Sequence, residues 1–420
     1  MTRFLKRDAS LGFSVQADFV TEKTTGFAYL LCADAVEPDL AREIQMVDLL
    51  EGQVGVSSAP LAGSKHGGTV KFKIPMQGLA VAYDPTADTI TAKVPGIFTL
   101  LCAMLGCDTA NAPFSQSYGA AHVDAGCTTT SIVTTAGTHV VGGFIATEKV
   151  ADSTNVLAGW IKSKAGAPET LTLEEALAGT PAAGDAVVPS VTACLTAIQP
   201  IPQTLRYVGS VSQFGYIFIG CVCENVDLVF DVKGLAMVEV TYKYTDHKRS
   251  SSIGGLQVPT KYTRLQPIMG ASGSRCTIDG ALTTGIKSIK VSVAFKLAFM
   301  EDPNAGQGVQ DCTVVDRKVK FSFVVPLNSS DTIVNGSGPW ETKLENQTAI
   351  SFMLTLGSKI GNLFSLYIPA ARLAAQPKLV DMDGFWAESL ELEAGPSQAD
   401  KDPAVTDSAP ADTPLRIGLA

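Results

Sequence analysis

The clearest pattern of apolar and polar positions runs from Tyr216 to Tyr244, YIFIGCVCENVDLVFDVKGLAMVEVTYKY, which predicts a strand, a tight turn and a second strand. A weaker copy, LYIPAARLAAQPKLVDMDGFWAESLELEA, lies at Leu366–Ala394 and aligns without gaps at an offset of 150 residues. Gly234 falls on Gly384, Asp231 on Asp381, Val240 on Leu390 and Tyr242 on Leu392. The polar positions stay in step too: Glu239, Thr241 and Lys243 align with Ser389, Glu391 and Glu393. Strand side chains alternate faces with period two, so a slip of one residue would invert every position. Agreement on both faces around the turn glycines Gly234 and Gly384 points to one β-unit used twice. Chance similarity between two amphipathic hairpins is the alternative.

Other segments continue the β pattern. Phe13–Phe19 alternates like a strand, and Val70, Phe72, Ile74 and Met76 face away from Lys71 and Lys73. Ser288–Met300, Lys318–Val325, Thr348–Leu356 and Asn362–Ile368 read as further strands, and Ser131–Ile145 as a hairpin. Helical spacing appears at Ile97, Leu100, Leu101, Met104 and Leu105, with Gly106 as a stop. Short helices are also expected over Pro38–Leu50, over Leu171–Leu177 and in GPWETKLENQ, where Pro339 occupies the first turn.

These segments suggest a division of the chain. Residues 1–107 with 206–246 form a first unit and 247–394 a second. Residues 108–205, rich in Thr, Ala, Gly and later Pro, form an insertion that could be an outward-facing module. An acidic, Pro-rich loop at 395–412 precedes the apolar ending TPLRIGLA, 413–420, which a docked terminal strand would explain.

Composition narrows the function. Of 420 residues, 46% are hydrophobic and 17% charged, which suggests surface covered by neighbouring subunits. A net charge of −9 argues against a protein that wraps nucleic acid through phosphate neutralisation. The nine cysteines are scattered through apolar runs, as expected of buried thiols in a reducing cytoplasm, and only Cys221 and Cys223 are closely spaced. The first residues, MTRFLKRDASLGFSV, lack the apolar core of a secretory signal, and no apolar run reaches the roughly 18 residues of a membrane helix.

Candidate chemistry is sparse. The four histidines are dispersed, and neither a zinc-protease nor a phosphate-loop motif is present. His247 has the flavour of a solvated turn. Asp227 with Asp231, and Asp381 with Asp383, flank Gly turns, where Asp is favoured for local hydrogen bonds rather than acid–base work. No catalytic residue, metal or cofactor is expected, and the chain reads as a non-enzyme.

Four stretches in their order resemble the tail tube (major tail) proteins of long-tailed bacteriophages, of the longer type with a duplicated tube fold. They are GGTVKFKIPMQGL…FTLLCAMLG, FIGCVCENVDLVFDVKGLAMVEVTYKY, ETKLENQTAISFMLTL and TPLRIGLA. The resemblance implies a mainly β protein: an antiparallel barrel or sandwich, duplicated, with short flanking helices. It implies a virion protein made in the host cytoplasm, whose rings stack into the conduit for genome delivery. A ring would hold three chains with pseudo-sixfold symmetry, or six if the repeat is spurious. Partners would be other tail proteins (ruler, terminator, baseplate), and viral DNA would pass without specific binding. Glu239, Thr241, Lys243, Ser389, Glu391 and Glu393 are the candidate lumen-facing residues, giving a mainly acidic bore. Residues 1–20, 246–258 and the C-terminal stretch are candidates for contacts between rings. A capsid decoration or baseplate protein is the alternative. A carbohydrate-binding β-protein would need clustered exposed aromatics, whereas Trp160, Trp340 and Trp386 are far apart, the last two where core is expected.

Overall fold

The computed structural model describes the chain apart from residues 1–8, 31, 33–35, 41–43, 50–56, 63–66, 79, 85–88, 94–95, 106–122, 136–138, 150–151, 189, 196–200, 210–214, 250–268, 271–272, 284, 303, 306–307, 328–337, 358, 360 and 396–412. The chain begins with β1 (Ala9–Val15), β2 (Ala28–Leu30) and β3 (Glu37–Pro38). A hairpin of β4 (Ile44–Leu49) and β5 (Ser57–Ala62), then β6 (Thr69–Pro75), follow. Next come a hairpin of β7 (Ala80–Asp84) and β8 (Thr89–Lys93) and the helix α1 (Gly96–Leu105). A separate five-stranded sheet holds β9 (Ser131–Thr134), β10 (Phe144–Lys149), β11 (Asp152–Ala165), β12 (Glu169–Leu173) and β13 (Ala186–Val188). The chain then runs through β14 (Val191–Cys194), β15 (Gln203–Gly209), β16 (Gly215–Asp231), β17 (Met237–Lys243), β18 (Asp246–Arg249), β19 (Arg275–Ile278) and β20 (Ala281–Leu282). The long hairpin of β21 (Ser288–Glu301) and β22 (Val309–Pro326) precedes α2 (Pro339–Glu345). β23 (Ile350–Leu356), β24 (Phe364–Leu373), β25 (Lys378–Met382), β26 (Phe385–Ala394) and β27 (Arg416–Leu419) complete the fold. It is mainly β and antiparallel.

The 216–244 alternation folds as the hairpin β16–β17, with Val226 opposite Val240 and Leu228 opposite Val238. At 366–394 the chain makes three strands rather than two. Ala374–Pro377 interrupts the first arm, and β25 then pairs with β26 around Asp383-Gly384. Both turn residues are left-handed (φ 53° and 88°), the two-residue turn that matches strand twist. Gly234 closes a longer turn, its N–H donating to the Asp231 carbonyl at 3.1 Å.

The strand registers repeat. Between β15 and β16, Gln203 opposes Cys221, and after an irregularity Leu205 opposes Phe218. Between β23 and β24, Ile350 opposes Ala371, and after an irregularity Phe352 opposes Ile368. Cys223 faces Tyr242 as Leu373 faces Leu392. β6 runs beside β17 from Thr69↔Lys243 to Pro75↔Met237, just as β22 runs beside β26 from Lys320↔Glu393 to Pro326↔Ala387. A helix precedes each set. Residues 346–349 link α2 to β23, whereas 106–202 separate α1 from β15.

One core lies beneath the continuous sheet β6–β17–β16–β21–β22–β26. Phe72, Val240, Leu228, Val291, Phe323 and Leu390 all point into it. α1 differs from its expected one-sided pattern, because Phe98 and Leu100–Leu105 are all buried, as in a helix surrounded by protein. α2 begins as expected, with Pro339 at its start and the Gly338 N–H donating to the Glu341 carboxylate at 2.8 Å.

Several local expectations need correction. The 38–50 segment contains strand β4, not a helix, and 171–177 continues strand β12 into a bend. β9 pairs with β12 while β10 pairs with β11 and β13, so 131–145 is not a hairpin. His247 lies in β18 against Phe218 and Tyr244 rather than in a solvated turn. Trp386 is 66% exposed, not core. The loop expected at 395–412 falls, beyond Gly395, outside the described residues. The apolar ending docks as β27, between β14 and β24.

The five-stranded sheet sits on the second half of the chain. The Trp160 indole N–H donates to Ser365 Oγ at 3.0 Å, and Arg416 pairs with Glu174 at 3.2 Å. The Thr277 hydroxyl donates to buried Glu175, which also accepts from Ser351 at 3.4 Å. Burial dominates at Glu175 and lifts its carboxyl above the usual range, although Thr277, Ser351 and Arg275 favour the charged form. A raised folded pKa means the native chain holds the proton more firmly. The resulting stabilisation is full below the unfolded pKa, about 4.3, and is lost as pH rises through the folded one. Glu175→Gln is therefore expected to stabilise the protein at pH 7.5 by about 1 kcal/mol. Its advantage should vanish near pH 4, and thermal melts of both chains across that range check it.

Candidate functional site

The face of the large sheet opposite the core is polar, and its rows cross both halves of the chain. Lys73 opposes Glu239, Glu239 opposes Asp227, Asp227 opposes Ser292, Ser292 opposes Lys320, and Lys320 opposes Glu393. On neighbouring rows Thr241 faces Asn225, Ser322 faces Glu391, and Val324 faces Ser389. Register therefore brings Glu239, Thr241, Lys243, Ser389, Glu391 and Glu393 to one face of one sheet, because all differ from their buried neighbours by one step of the alternation.

Ion pairs knit the face. Lys73 Nζ lies 2.9 Å from Glu239 Oε1, and Lys290 Nζ lies 2.8 Å from Asp227 Oδ2. Burial alone would raise the Asp227 carboxyl, but Lys290, Ser292 and Asn225 bind its charged form and hold it below the ordinary value. A shallow concavity of about 520 Å³ opens here, lined by Glu37, Lys71, Lys73, Asp227, Glu239 and Thr241.

The face is not mainly acidic. Strand alternation adds Lys71, Lys73, Lys290, Lys318 and Lys320 to Lys243, against Glu37, Asp227, Glu239, Glu391 and Glu393. Lys71, Lys318 and Lys320 make no ion pair with a described residue. These lysines were visible in the alternation of KFKIP, SIKVSV and KVKFSF. What sequence did not reveal is that β21 and β22 join the two hairpins, so that their polar positions share the same surface.

Among the described residues no constellation for covalent chemistry accompanies it. Among the described residues no group of three His, Cys, Asp or Glu is placed to hold a metal ion. Burial pushes the Cys221 and Cys223 thiols up, so neither is a ready nucleophile at neutral pH. Among the described residues no helix is long and apolar enough to cross a membrane.

A two-sided antiparallel sheet with an unpaired strand edge is a template for pairing with a further strand. The family model described as phage tail tube protein matches residues 6–412. The chain belongs to the phage tail tube protein family and is a structural component of the virion tail. No curated protein matches the chain.

Proposed function

We propose that the chain carries the tube fold twice and that three chains close into a ring with pseudo-sixfold symmetry. Stacked rings then form the conduit through which the genome leaves the virion. The first unit comprises 1–107 with 206–246 and the second 247–394, while 108–205 is an insertion projecting outward. The C-terminal strand at 413–420 follows the acidic loop. Segments 1–20 and 246–258 contact the next ring, whereas the expected contact through the C-terminal residues 413–420 is corrected by their burial within their own chain; ruler, terminator and baseplate proteins are the other partners.

The repeat of strand registers carries this reading. Four strand-to-strand steps lead from Glu239 to Glu393 along one row, and Glu393 corresponds to Lys243 in the repeat, a stagger of four residues. One residue of stagger per strand, with about 3.3 Å of rise and 4.8 Å between strands, tilts the strands by about 35°, as in closed barrels. Eight such strands per chain give about 24 in a ring of three and a backbone diameter of about 45 Å. Inward side chains leave a bore of roughly 35 Å, wide enough for a double helix; six chains would double the diameter.

The polar face is then the lumen. Its ion pairs neutralise Lys73, Lys243 and Lys290, and water and salt in so wide a bore screen the remaining lysines beyond about 8 Å. DNA passes without specific binding. Purified protein is expected to elute as large rings or tubes rather than as a monomer. In those tubes, cysteines at Thr241→Cys and Glu391→Cys should react with a small thiol reagent that enters the bore. Shielding of both would overturn the assignment of the face.

A further inference from the structure

The junction between the two halves of the chain supplies a template for the junction between chains. In the first half β16 is paired on both edges over Asn225–Val229, with β17 on one side and β21 on the other. Its counterpart β25 pairs, among the described residues, with β26 alone. Beside that open edge lie Leu379, Phe385 and Trp386, exposed by 58%, 70% and 66%. The contrast with the first half is direct. The Met76 N–H donates to the Ala236 carbonyl at 2.7 Å, and the Leu327 N–H to the Trp386 carbonyl at 3.0 Å, at matching points of the repeat. Met76 and Ala236 are buried at 0% and 1%, whereas Leu327 and Trp386 stand 41% and 66% exposed. An unpaired strand edge flanked by large apolar side chains is built for another strand.

At the other end of the chain, β3 lies beside β6 as β21 lies beside β22. Glu37 opposes Lys71 as Lys290 opposes Ser322, so Glu37 takes the place of Lys290. Lys378 opposes Ser389 as Asp227 opposes Glu239, so Lys378 takes the place of Asp227. Within the chain, Asp227 and Lys290 form an ion pair across the junction at 2.8 Å. At the outer edges the same two positions carry the opposite charges.

We propose that the β25 edge of one copy pairs antiparallel with the β3 edge of a second copy of this chain, Lys378 against Glu37, in the register of β16 with β21. This assignment rests on the tube reading and names its interface. The contact is heterologous, the kind that closes into rings. Leu379, Phe385 and Trp386 become buried in it.

Charge reversal tests the pair. Lys378→Glu and Glu37→Lys, each alone, place like charges together and should raise the concentration needed for assembly about tenfold or more. The double variant should recover most of the loss in assembly. Because Lys378 also lies 3.7 Å from Glu391 and Glu37 opposes Lys71 within the chain, each reversal should lower the melting temperature of the unassembled chain, and the double variant should restore assembly without restoring that temperature. Independently, Val380→Cys chains mixed with Glu37→Cys chains should form interchain disulfides on assembly, and neither alone should. Single reversals that assemble like the parent, or tubes that form without the mixed disulfide, overturn the edge assignment alone. A parent chain that never leaves the monomer defeats the tube reading, and this assignment with it.

Discussion

A chain ending at residue 412 is expected not to reach the native fold. β27 lies between β14 and β24, four residues opposite each, so its loss opens a seam along two strands at once. Leu415, Ile417 and Leu419 are no more than 1% exposed, and burying each contributes about 1.5–3 kcal/mol. Ala420 adds backbone bonds, accepting from the Gly361 and Leu363 N–H groups at 3.1 Å each. The Arg416 guanidinium, buried at 1% exposure, stacks 5.2 Å from the Tyr367 ring while it pairs with Glu174. Together these losses match the roughly 5–15 kcal/mol that holds a typical domain folded. Expression of the truncated chain should give insoluble protein or a species without a cooperative melt. A soluble truncation melting within a few degrees of the parent would contradict the account of this strand.

Trp160→Ala is expected to be the most damaging single substitution. The side chain is fully buried, between Phe144 at 5.1 Å and Tyr367 at 6.1 Å between ring centroids. Its indole N–H bonds Ser365 Oγ, which lies 3.1 Å from the hydroxyl of Thr355. Truncation leaves a cavity where the five-stranded sheet meets β23 and β24 and should cost about 3–5 kcal/mol. Trp160→Phe keeps most of the packing and loses the hydrogen bond, at about 1–2 kcal/mol. Urea unfolding of the three proteins should rank them in that order. Equal midpoints would mean that the five-stranded sheet is not docked through this residue.

The sequence was legible wherever the information was local. Alternation placed Glu239, Thr241 and Lys243 on one face of β17 and Ser389, Glu391 and Glu393 on one face of β26, and the apolar ending announced a docked strand. Alternation says which residues share a face but not which strand lies alongside. That is why Ser131–Ile145 read as a hairpin although its two strands pair elsewhere, and why the lysines of β21 and β22 were not counted with the polar face. Leu171–Leu177 has apolar residues at a spacing compatible with either period, and pairing with β9 and β11 decided for strand. Trp386 was expected in core from its place in the repeat, yet it stands 66% exposed where its counterpart Ala236 is 1% exposed. The break at Ala374–Pro377 was hidden because a gapless alignment passes over it: β25 enters its pairing one residue late, Lys378 rather than Pro377 opposing Ser389.

The central claim is a ring of three chains, each supplying two copies of one β-unit to a continuous barrel. End-on electron microscopy of the purified protein, with rotational averaging, tests it most directly. The account predicts rings with a central hole, six lobes around the wall and threefold symmetry overall, because 108–205 interrupts only one unit of each pair. Rings of six chains, or small featureless particles even at high concentration, would contradict it.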